Sequence, residues 1–166
     1  MIFVTLGSQK FQFDRLLKMI DELVVDDIIR EKVFAQIGYS SYIPQNFEYK
    51  KFLSHDEFLS KMTECSKVIT HGGTGAIITA VKNGKRVIAM ARRAEFGEHV
   101  DDHQTQLVNE FSELKLIIAI ESLLELKTAF ENISDMHFEK YTSNTIKIIS
   151  SLEKFVKSEF HLKAKG

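Results

Sequence analysis

Short strand-forming runs alternate along this chain with helical segments of about ten residues, and this alternation limits the possible folds more than any other feature. Ile2–Leu6 is apolar almost throughout and ends at Gly7, as a strand buried on both faces does. From Phe11 to Val24 the apolar residues Phe13, Leu16, Leu17, Ile20, Leu23 and Val24 recur at helical steps. Lys32–Ile37 reads as a second strand closed by Gly38, and Phe47–Leu53 as a weaker third, because Lys50 and Lys51 interrupt it. Ser54 and Glu57 have the Ser-x-x-Glu spacing of a capping box, at the head of a helix running to about Cys65. A strand at Lys67–Thr70, a turn at Gly72–Gly75, a helix over Ala76–Asn83 and a strand at Arg86–Met90 follow. A polar loop over Ala91–Val100, a helix over Asp101–Glu113 and a strand at Leu116–Ile120 complete the alternation. Helices are then expected at Glu121–Asn132 and Tyr141–Phe160.

A strand that reaches the next one through a helix pairs with it in parallel. The expected fold is therefore α/β, a doubly wound, Rossmann-like parallel sheet with helices on both faces. In such sheets ligands bind outside the carboxyl ends of the strands, so the loops beginning at Gly7, Gly38, Leu53, His71 and Ala91 are the ones to inspect.

The length of 166 residues fits one domain, with an α/β core over residues 1–120 and C-terminal helices over 121–166. With 22 Lys and Arg against 23 Asp and Glu, the net charge of -1 excludes a chain built as a polycation for nucleic acid. The single Cys65 cannot form an internal disulfide, which points to a reducing, cytoplasmic compartment. No apolar run is long enough to span a bilayer, and Met1–Gly7 lacks the basic start of a secretory signal. The Lys-rich stretch 154–166 reads as a solvated helix face.

The most informative segment is His71-Gly72-Gly73-Thr74-Gly75, set between a strand and a helix. Glycines there let a ligand approach main-chain N–H groups at the positive end of the helix, which suits a phosphate, and the Thr74 hydroxyl adds a neutral donor. A turn needed only for packing is the competing reading. Neither the dinucleotide fingerprint Gly-x-Gly-x-x-Gly nor a P-loop is present.

A second segment, Arg92 to Gln104, packs arginines, carboxylates, histidines and an amide into one loop and helix start, a set able to order around a polyhydroxylated ligand. His99 and His103 have the i, i+4 spacing of metal ligands, but His-Val-Asp-Asp-His departs from the zincin pattern, so no metal is expected. Asp101 or Asp102 also suits a helix cap. His-Gly-Gly occurs in esterase oxyanion loops as well, yet no Gly-x-Ser-x-Gly elbow accompanies it. Cys65 reads as core rather than nucleophile, and His55 and His137 as surface residues.

Five strings together carry a resemblance: Val4-Thr5-Leu6-Gly7-Ser8, Phe13-Asp14-Arg15-Leu16, the His71–Gly75 turn, Gly84-Lys85, and above all Phe96-Gly97-Glu98-His99-Val100-Asp101-Asp102-His103-Gln104. The chain resembles, over about residues 1–120, the C-terminal, donor-binding half of GT-B glycosyltransferases of the glycosyltransferase 28 type. Within that family it is most similar to the single-domain catalytic subunits of split enzymes. The resemblance implies that Gly7, Ser8, His71, Gly72, Gly73, Thr74 and Gly75 lie against the donor diphosphate. It implies that the backbone of Phe52 and Leu53 meets the uracil edge, and that Gln104, with Asp102, Arg93 and His103 nearby, holds the donor sugar. Thr79 stands where many relatives have a ribose-binding glutamate, and Ala91 where a proline is frequent. Glu98 and His99 are the implied catalytic residues.

The resulting expectation is an inverting hexosyltransferase subunit. It would take UDP-galactose or UDP-N-acetylglucosamine and extend a lipid-diphosphate-linked saccharide in polysaccharide or glycan synthesis. The implied cofactor is none, because oriented main-chain N–H groups would stabilise the departing diphosphate without a metal. A membrane-anchored, acceptor-binding subunit is the implied partner, which would hold this chain at the cytoplasmic face of the membrane. A non-catalytic nucleotide-sugar-binding or enhancer subunit is the alternative, and a self-contained UDP-sugar hydrolase or epimerase a third reading.

Overall fold

Continuous apolar runs need cover on both faces, and the computed structural model, which describes residues 1–142, provides it. Six strands form one sheet: β1 (Ile2–Thr5), β2 (Val33–Gln36), β3 (Glu48–Lys50), β4 (Lys67–His71), β5 (Arg86–Met90) and β6 (Ile118–Ile120). All pair in parallel, in the order β3-β2-β1-β4-β5-β6. Five helices connect or follow them: α1 (Asp14–Val25), α2 (His55–Glu64), α3 (Thr74–Lys82), α4 (His103–Glu113) and α5 (Leu123–Asn132).

The two-residue alternation of a strand sorts its side chains into two cores. Ile2, Val4 and Leu6 turn toward α1 and α5, where Leu16, Leu17, Ile20 and Leu126 are fully buried. Phe3 turns to the opposite face and packs with Met62 of α2, Ile77 and Ala80 of α3 and Val108 of α4. Cys65 belongs to this second core, and burial raises its thiol pKa, as a packing role requires. The capping box at α2 forms as its residues predict: Ser54 Oγ accepts from the Glu57 N–H, and the Glu57 carboxylate accepts from the Ser54 N–H.

Several boundaries differ from the sequence expectation. The third strand shrinks to Glu48–Lys50, exposed at the sheet edge, because its lysines keep it from being buried on either face. The first helix begins at Asp14 rather than Phe11, where Gln12 Oε1 accepts from the Asp14 N–H. Helix α4 begins at His103 rather than Asp101, and the last strand covers only Ile118–Ile120. Of the helix expected over Tyr141–Phe160, Tyr141 and Thr142 are not helical, and the remainder lies outside the described residues. Among the described residues no helix is long and apolar enough to cross a membrane.

Candidate functional site

The chain builds outward from β1 to β3 and then returns to place β4 on the other side of β1, so the loops leaving β1 and β4 diverge at the centre of the sheet. That divergence opens a crevice at the strands' carboxyl ends. A cavity of about 780 Å³ occupies it, walled by the loop after β1, the turn after β4, and the first residues of α2 and α4.

Helix α3 points its N-terminus into this cavity without a stopper. Its N-cap is Gly73, no side chain caps it, and its first turn has no acidic residue. The first helical bond is donated by Ile77 to the Gly73 carbonyl, leaving the N–H groups of Thr74, Gly75 and Ala76 without an intrahelical acceptor. Such groups, at the positive end of the helix, form an anion site.

The His71 imidazole lies between the two glycine loops. A Cβ on Gly73 would sit 2.2 Å from His71 Nε2, and one on Gly7 would sit 2.8 Å from Cε1, with φ of +74° besides. Neither position admits another residue without moving the ring. Burial, helped by the nearby Arg92 charge, lowers the His71 pKa to about 4, so the ring is neutral at physiological pH. Its Nδ1 is 3.3 Å from the Thr5 carbonyl, which only accepts; the ring proton is therefore assigned to Nδ1 and Nε2 keeps its lone pair.

Most residues expected at the donor do converge here: Gly7, Ser8, Leu53, His71, Gly72, Gly73, Thr74, Gly75, Thr79, His103 and Gln104 all line the cavity, as does His99, expected to be catalytic. Gln104 packs directly on Gly72, where a Cβ would meet its own at 2.7 Å, and its Oε1 accepts from the Arg92 N–H. Thr79 donates its hydroxyl to the Gly75 carbonyl, so only its lone pairs remain for a ligand. His99 stacks on Phe11, and its Nδ1 lies 3.2 Å from an Asp101 carboxylate oxygen.

Four expected residues are placed elsewhere. Phe52 is exposed and packs edge-on against Tyr39 outside the cavity, although the neighbouring Leu53 lines it. Asp102 turns away and accepts from the Ala94 N–H, and Asp101 lines the cavity instead. Arg93 lines a separate recess. Glu98, expected to be catalytic, is fully buried and does not line the cavity. Its two oxygens accept from Arg15 Nε and Nη2 at 3.0 and 2.8 Å, and one also accepts from the Arg93 N–H. A carboxylate saturated in this way shapes its loop rather than touching a reacting atom.

The sequence reading assigned no part to two arginines that organise the site from beneath. Arg15, on α1, clamps the 91–98 loop through Glu98 and through the Ala91 carbonyl. Arg92 is 1% exposed and donates from Nη2 to the Leu6 and Phe11 carbonyls, tying the loop after β5 to the loop after β1. Burial lowers its pKa to about 10, so it remains charged. Arg15 was visible only as part of a family string, and Arg92 only as one of several charges in a polar loop. Among the described residues no group of three His, Cys, Asp or Glu side chains is close enough to hold a metal ion.

No curated protein matches the sequence significantly. Among solved structures, the glycotransferase of kitacinnamycin superposes with a TM-score of 0.60 at 16% identity, over 81% of this chain and 35% of that one. The glycosyltransferase SnogD from Streptomyces nogalater superposes with a TM-score of 0.51 at 18% identity, over 81% of this chain and 39% of that one. The chain thus spans little more than a third of either. The solution structure of ALG13 superposes with a TM-score of 0.56 at 17% identity, over 91% of this chain and 93% of that one. These likenesses establish a fold shared with glycosyltransferases. At the level of sequence, the profile of the glycosyltransferase family 28 C-terminal domain matches residues 1–158. The chain belongs to that family.

Proposed function

We propose that this chain is the donor-binding and catalytic subunit of an inverting glycosyltransferase that takes a UDP-hexose. The observation that carries the reading is the uncapped α3 N-terminus, opening at the switch point of the sheet beside a neutral His71. In this reading the diphosphate lies on the N–H groups of Thr74, Gly75 and Ala76, and the nucleoside extends toward Leu53 and Thr79. The hexose reaches Gln104 and His99. An acceptor hydroxyl attacks the anomeric carbon, the bond from that carbon to the diphosphate oxygen breaks, and its electron pair leaves with UDP. Oriented N–H groups stabilise this departing charge as it develops, with no metal required. His99 is the side chain in the cavity best suited to take the acceptor proton.

The chain matches about the full length of ALG13 but only 35% and 39% of the two longer glycosyltransferases. A second polypeptide, membrane-anchored and holding a lipid-diphosphate-linked saccharide, supplies the missing half in this reading. The test is transfer of radiolabelled galactose or N-acetylglucosamine from UDP to lipid-linked acceptor, with and without the partner, alongside UDP titration of the labelled chain. UDP should shift the Gly73–Ala76 amides, and transfer should need the partner. UDP binding elsewhere would overturn the assignment. Donor binding that survives His99→Ala and Gln104→Ala with unchanged partner-dependent turnover would favour the non-catalytic alternative.

A further inference from the structure

The loop that separates β5 from α4 has a second side. His99 faces the donor cavity, while Glu98 and Phe96 line a recess of about 600 Å³ along α1. A further recess of about 330 Å³ lies between the β5 and β6 ends and α4, with Arg93, Glu95, Thr105, Asn109 and Glu121 in its walls. Both recesses are lined by Arg15, Met19, Phe96 and Leu123, so they form one groove running past Phe96. Neighbouring residues of α4 divide between the two sites: Gln104 lines the donor cavity and Thr105 lines the groove.

Two residues that line this groove carry buried polar atoms, Arg93 Nε and Thr105 Oγ1, that find no hydrogen-bond partner among the described residues, as do Nε and Nη1 of Arg92 in the adjoining loop. Buried polar groups are nearly always satisfied, so this loop and the start of α4 hold polar capacity that is not used internally. Arg93 meets Glu95 only at 3.3 Å and Glu121 only at 3.8 Å, contacts loose enough to open toward a ligand. The chemistry of the lining selects that ligand. Carboxylates of Glu95 and Glu121 disfavour a phosphate or other anion, whereas the cations of Arg15 and Arg93 disfavour a metal ion. Hydroxyl groups suit both sets at once, donating to the carboxylates and accepting from the Arg93 guanidinium and the Asn109 amide. Phe96 is 52% exposed at the junction of the recesses, with the Arg15 guanidinium 4.7 Å from the centre of its ring, and its exposed apolar surface is of the kind that packs against a pyranose.

We propose that this groove is a second binding site, for a neutral oligosaccharide, separated from the donor cavity by the 92–102 loop. It stands on the groove itself and not on the identity of the donor. The full chain, labelled with nitrogen-15, is titrated with maltotetraose, cellotetraose and β-1,4-galactotetraose at millimolar concentration, and separately with UDP. At least one tetrasaccharide should shift the amides of Phe96, Thr105, Asn109 and Glu121 and leave Gly72–Gly75 unmoved. Phe96→Ala, an exposed position, and the isosteric Thr105→Val should each weaken that response about tenfold, with the UDP response retained. Absence of any shift at the groove amides with all three sugars overturns the proposal, as does binding unchanged in both variants. Loss of the UDP response with the saccharide response intact would instead overturn the donor reading alone.

Discussion

At the α3 N-terminus the N–H groups of Thr74, Gly75 and Ala76 stand without intrahelical acceptors, whereas the Glu98 carboxylate, one loop away, accepts from Arg15 twice and from the Arg93 N–H. The first region keeps its polar capacity open and is formed by residues with almost no side chain. The second spends its acceptor capacity on Arg15 and the Arg93 N–H. Arg92 ties the loop after β1 to the loop after β5, and Arg15 fastens that second loop to α1. Arg92 reaches the turn before α3 only through Gln104, whose Oε1 accepts from its N–H and whose Cβ packs on Gly72. The open region is built to meet a ligand, the closed one to hold its own loop.

The sharpest way to break this contrast is Glu98→Ala. Removing a fully buried carboxylate strands the Arg15 charge and should cost about 3–5 kcal/mol of stability, measured by urea unfolding. UDP affinity of the remaining folded protein should change much less; an affinity loss exceeding the stability loss would move Glu98 to the ligand. Gly73→Ala tests the other side. Crowding His71 should cost about 1–3 kcal/mol locally and weaken UDP binding by on the order of tenfold to 100-fold by calorimetry. Normal binding in this variant would show that the turn does not meet the diphosphate.

A third prediction follows from the His71 environment. The folded imidazole titrates at about 4 and the unfolded one near 6.5, so between those values the unfolded state binds the extra proton. The stabilisation is complete above pH 6.5 and is lost as pH falls toward 4, up to about 3 kcal/mol. His71→Asn should flatten this part of the stability profile. The smallest effect on the site is expected for Gln12→Ala, which removes two hydrogen bonds, from Nε2 to the Phe96 carbonyl and from the Asp14 N–H to Oε1 at the start of α1. A loss of roughly 1–2 kcal/mol in thermal unfolding, with UDP binding within about threefold, would fit contacts that only support the site.

What could be read from the residues divides along the same line. β1 and β5 are mostly apolar runs ended by a glycine or a polar loop, β4 carries the strand formers Val68, Ile69 and Thr70 ahead of its glycines, and the glycine turn before α3 announces its own use. Local chemistry of that kind is written in neighbouring residues. The pairing of Arg15 with Glu98 spans 83 positions and leaves no local periodicity, so the glutamate looked as available as any carboxylate in a polar loop. Asp102 is expected at the donor sugar from the resemblance alone, and no local pattern separates it from its neighbour: Asp102 accepts from the Ala94 N–H while Asp101 lines the cavity.

The register Ile2↔Lys67 through Thr5↔Thr70 joins β1 to β4 across some 65 positions of chain, and Gly7 and His71 meet only because of it. Long-range parallel pairing closes slowly, after more local structure has formed. A partly folded chain therefore has the glycine turn but lacks the cavity. Any ligand held there recognises the completed sheet, and should act by slowing the rate of unfolding rather than by speeding the search for the fold.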